Sequence, residues 1–138
     1  IRDCLLSRGL GDVYKRQLKR LQEQELLKKI FKELEGQQEN LNWLLEKHGQ
    51  SGYRGTIFEE KNAVIVTTLT HCVNELPIKY KEISDPIRST VLELRGYNGE
   101  GKKHLEEAEG YLYSAIQAVK VAEEQFSVDN IKMIAHSD

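Results

Sequence analysis

Cysteine, proline, long apolar runs and charge of one sign are all scarce in this chain, and each scarcity closes off a class of protein. Two cysteines, Cys4 and Cys72, cannot build a disulfide framework. Two prolines, Pro77 and Pro86, leave room for long uninterrupted helices. No apolar run approaches the ~18 residues that a membrane-spanning helix needs, so no membrane association is expected. The formal net charge is only −2. General nucleic-acid binding needs a basic face to neutralise phosphates, and none is expected here. No Ser-His-Asp, zinc or dinucleotide signature is present, so the chain reads as a non-enzyme that needs no cofactor.

The opening segment stands apart. Asp12-Val13-Tyr14-Lys15-Arg16-Gln17 resembles the translation of a transposase-end adapter from sequencing libraries, and Ile1 to Gly11 resembles the read-through that accompanies it. The chain opens on Ile1, and its only methionine is Met133. The resemblance implies a translated metagenomic fragment whose residues 1–17 are non-native and irregular, with the true N-terminus missing. A signal peptide does not fit: Cys4-Leu5-Leu6 is too short for an apolar region, and no small-residue cleavage site follows. Setting these residues aside leaves 16 basic and 20 acidic residues, a charge of −4, and one cysteine, Cys72, which suits a reducing cytoplasm.

What the chain has in quantity is helical periodicity. Leu105, Ala108, Leu112, Ala115, Val119, Ala122 and Phe126 recur at spacings of 3, 4, 3, 4, 3 and 4. That is three heptads of apolar seam, with alanine once per heptad to admit a close partner helix. Residues 18–48 carry a second seam of Leu27, Phe31, Leu34, Gln38, Leu41, Leu45 and His48, interrupted near Gly36 and Gln38, where a kink or a division into two helices is open. Gly49 supplies a stop. Residues 57–76 are β-branched over Ala63 to Thr70, which suits a strand. Phe58, Ile65, Leu69, Cys72 and Leu76 nevertheless share a helix face, and Thr56 with Glu59 has capping-box spacing, so a helix is expected. Pro77 ends it. Asp85-Pro86 reads as the start of a helix over 86–95, and the Gly96–Gly101 turn joins that helix to a long one over 102–126. Ser127 is expected to end the long helix and cap a short tail over 128–135. The fold class is therefore all-α: one domain, 18–138, a bundle of about four helices with a C-terminal helical hairpin.

Candidates for chemistry are few. None of His48, His71, His104 and His136 follows an acidic residue by three positions, so the Glu-x-x-His motif of metal-binding bundles is absent. Only looser pairs, His71 with Glu75 or His104 with Glu107, have helical spacing for a metal-dependent enzyme. Cys72 lies on an apolar seam and reads as a buried structural thiol. Lys102 and Lys103, with Gly99 and Gly101 at the start of a helix, could hold a phosphate or carboxylate, although the P-loop spacing is missing. Glu106, Glu107 and Glu109 complement the dipole of the same helix. Tyr111 and Tyr113 suit a bundle edge or an interface.

One further resemblance rests on Tyr80-Lys81-Glu82-Ile83, Leu105-Glu106-Glu107-Ala108 and Ala115-Ile116-Gln117-Ala118. Residues 80–119 resemble the helical hairpin of small phage proteins that sequester cyclic-nucleotide defence signals. The resemblance implies homo-oligomers with ligands between protomers and a phage or prokaryotic source; no binding residue is transferred on it. The leading expectation is a cytoplasmic helical module that self-associates or binds a protein partner through its apolar seams, Leu105 to Phe126 above all. The alternative is capture of an anionic, nucleotide-like small molecule at Lys102 and Lys103.

Overall fold

The computed structural model describes residues 2–48, 56–97 and 101–136, with side chains over 11–48, 57–97 and 101–129. Four α-helices account for nearly all of them: α1 (Arg2–Lys47), α2 (Thr56–Glu75), α3 (Lys81–Gly96) and α4 (Lys102–His136). Each helix packs on the next, and α4 closes the ring on α1, with α3 against α4 the most extensive pair. Cross-helix contacts fix the directions. Trp43 meets Phe58 and Lys29 meets Glu75, so α1 and α2 run antiparallel. Asn62 Nδ2 donates to the Leu94 carbonyl at 2.9 Å, so α2 and α3 do too. The all-α bundle expected from periodicity is present, with the helical hairpin formed by α3 and α4.

The seams account for the core. Phe58, Ile65, Leu69, Cys72 and Leu76 are all buried, which settles residues 57–75 as helix despite their β-branched run. Packing overrides the weak intrinsic preference. On α1, Leu27, Leu34 and Leu41 are fully buried, but so are Ile30 and Leu44, while Phe31 and Leu45 stand at the edge. The helix has neighbours on two sides, α2 and α4, and buries a wider stripe than a two-helix seam would.

Three expected boundaries differ, and the division left open near Gly36 does not occur. Where residues 1–17 were expected to be irregular, α1 begins at Arg2. It passes through Gly36 and Gln38 as continuous helix; no Cβ-sized space is contested at Gly36. Pro77 does end α2, but one 3-10 turn, Ile78–Tyr80, leads straight into α3 at Lys81, four residues before Asp85. Ile83 and Ser84 are buried, and docking them recruits this first turn into the helix. Pro86 thus lies inside α3 and leaves the carbonyl of exposed Glu82 to solvent. Ser127 neither ends α4 nor caps a tail, because the helix continues to His136. A serine in a helix interior costs only a few tenths of a kcal/mol.

Candidate functional site

The α4 seam lies inside the molecule. Leu105, Ala108, Leu112, Ala115 and Val119 are fully buried by the chain's own helices. This corrects their assignment to an interface between molecules: a ring of four helices uses the seam for closure. Only its end escapes. Ala122 and Phe126 are half-buried, because the α2–α3 corner, at Leu76 to Tyr80, stops at their level and only α1 and α4 continue beyond it.

The hairpin end holds the expected anion site. Gly99 lies outside the described residues. Gly101 has φ +83°, which favours glycine, and its carbonyl accepts the His104 N–H at 3.0 Å. Lys102 and Lys103 are exposed, and Lys103 stands 3.9 Å from Glu107. The His104 ring sits between Gly96 and Gly101, with Nδ1 2.8 Å from Glu93 Oε2. A Cβ on Gly96 would come within 3.2 Å of that ring. Carboxylates from both α3 and α4 therefore stand at the place proposed for an anion, and both oppose one. The His104 hydrogen bond, helped by Glu107 and Lys103, holds the Glu93 carboxyl below its ordinary value. A carboxyl lowered by folding stabilises the fold above its ordinary value and stops doing so as pH falls through the lowered one. Acid unfolding of Glu93→Gln should accordingly show a shallower dependence on pH below 4.5 than the parent chain, as read by circular dichroism.

The opposite end carries polar contacts that local spacing could not reveal. Glu23 on α1 accepts from Lys79 Nζ at 2.7 Å and from the Tyr80 hydroxyl at 3.2 Å. Burial, then the Glu23 charge, pushes the Tyr80 phenol up to about 12. Nearly three turns further along α1, the fully buried Cys72 thiol donates to Glu33 at 3.0 Å, beside the Lys29–Glu75 pair. Burial first and Glu33 second push that thiol well above its ordinary range. Partners 39 to 57 positions apart in the chain leave no trace in local spacing.

Two grooves open at this end, one on either flank of α4. The first, about 670 Å³, runs between α1 and α4 and is lined by Arg16, Lys19, Arg20, Lys79 and Phe126 among others; Arg16 belongs to the adapter-like segment. The second, about 580 Å³, lies between α3 and α4 over Tyr80, Ile83, Ala118, Val121 and Gln125. Beside it the outer side of α4 presents Val121 at 61% exposure and Val128 at 45%, with Tyr111 at 40% further along. Sequence reasoning followed the stronger seam and passed over this second stripe, which the same spacing rule would have found one residue out of register.

Among the described residues no three of His, Cys, Asp and Glu converge on a position that could hold a metal ion, and His71 is exposed. No helix among them is long and apolar enough to cross a membrane. Comparison with models of known families, with curated proteins and with solved structures found no match to this chain.

Proposed function

We propose that the protein is a non-enzymatic helical interaction module that holds a partner helix along the outer side of α4. The observation that carries this reading is the contrast between the two sides of one helix. The inner seam is fully buried as far as Val119, while two residues on Val121 stands open beside a groove floored by Ile83 and Tyr80. A single exposed valine means little. Three exposed apolar residues on one helix face, the middle one of them, Val121, lining a concave surface, have the pattern of a helix-in-groove site.

The test is titration of a panel of labelled amphipathic helical peptides against the full chain, followed by anisotropy. Binders are expected, and Val121→Glu should weaken them at least ~10-fold by placing a charge in an apolar contact. Leu92→Glu, on the exposed side of α3, should leave them unchanged. Binders that respond to Leu92 and ignore Val121 would place the surface elsewhere, and a panel with no binder would refute the reading.

A further inference from the structure

We infer that the helix received by α4 is the α4 of a second copy, lying antiparallel across a twofold axis between Ala118 and Val121. The inference rests on the interaction reading above and names its partner. Tyr111, Ser114, Ala118, Val121, Gln125 and Val128 follow one another at spacings of 3, 4, 3, 4 and 3, a second heptad seam of two and a half repeats. The stripe carries no charge, although Glu106, Glu107, Lys120 and Glu124 are all exposed on the same helix. Its polar members are held against their own helix. The Ser114 hydroxyl donates to the Gly110 carbonyl at 3.2 Å, and Gln125 donates to Asp129 at 3.2 Å.

The stripe matches itself when reversed. An antiparallel twofold sets Ala118 against the partner's Val121, Ser114 against the partner's Gln125 and Tyr111 against the partner's Val128. Small meets large, polar meets polar, and an aromatic ring meets an aliphatic side chain. A parallel pair would instead stack each residue on its own copy, leaving a gap at Ala118 and a crowded layer at Tyr111. Glu124 falls opposite the partner's Gln117, so like charges do not meet on the flank. A contact between identical patches closes at two copies. The stripe spans about 27 Å at 1.5 Å per residue. A strip of that length and about one helix diameter (~10 Å) wide covers roughly 270 Å² per copy, about 540 Å² in all, below the ~1,200 Å² typical of stable complexes, so the dimer should be reversible, with a Kd on the order of tens of micromolar.

Light scattering on the full chain from about 5 to 500 µM, bracketing that range, should show the mass climbing from 15.9 kDa towards twice that value. Val121→Glu should stay monomeric throughout with helicity unchanged, and Val13→Glu with Tyr14→Glu should dimerise like the parent. Register is read by oxidation on a Cys4→Ser background. Ala118→Cys chains mixed with Val121→Cys chains should form the mixed disulfide in preference to either homodimer. A monomer at every concentration overturns the second copy but leaves the peptide test of the partner reading standing. A dimer that survives Val121→Glu, one lost with Val13 and Tyr14, or a preference for homodimer disulfides overturns this interface.

Discussion

Leu112→Ala should lower the stability of the fold by about 2–5 kcal/mol, the range for truncating a fully buried leucine. Leu112 is the central large residue of the α4 seam, between Ala108 and Ala115, which are themselves fully buried. Its neighbours along the seam are too small to expand into the space it leaves. The cavity term should therefore be near its full size, with little relief from local collapse. Domains of this size have only about 5–15 kcal/mol in total, so the variant should unfold at a much lower urea midpoint with an unchanged slope. Leu92→Ala is the control. The same deletion at a side chain 68% exposed should change the stability by less than ~0.5 kcal/mol. Equal effects at the two positions would mean that the α4 seam is not the core.

The second large effect is chemical. Cys72 should react with a thiol reagent at neutral pH ~100-fold or more slowly in the folded chain than in urea, because only the thiolate is a nucleophile and this thiolate is suppressed. Burial raises the thiol most, and the Glu33 carboxylate that accepts its hydrogen bond raises it further. Glu33→Gln removes the charge but keeps an acceptor, so it should restore part of the reactivity while the fold persists. A Cys4→Ser background isolates the signal. Rapid labelling of the native chain would show that α2 does not pack Cys72 against α1.

Much of the architecture was legible because helices advertise their buried face locally. A residue every three or four positions must share a side, so Phe58 to Leu76 and Leu105 to Phe126 could each be read as one helix facing a core. Pro77 could be read as a stop because proline lacks an N–H. The start of α3 could not be read this way. Asp85-Pro86 has good local chemistry for a helix start, and burial of Ile83 outweighs it. Ser127 had the same status as a stop, and its local preference is too weak to break a helix. The candidate site was legible only in part. Lys102 and Lys103 were visible as charges, but the Glu93 beside His104 comes from the preceding helix, 11 residues away.

The sequence by itself determined that this protein is helical and which side of α2 and α4 is apolar, since these depend on backbone period and side-chain type. Only the tertiary structure decided what covers each apolar side. The α4 seam is spent inside the molecule because α1, α2 and α3 together close a ring around it. The stripe one residue out of register is left largely open because it lies on the flank of α4 outside the ring, where only Ala118 packs against the core. Local spacing sets the direction of a side chain, whereas burial depends on the lengths of other helices and on where they end.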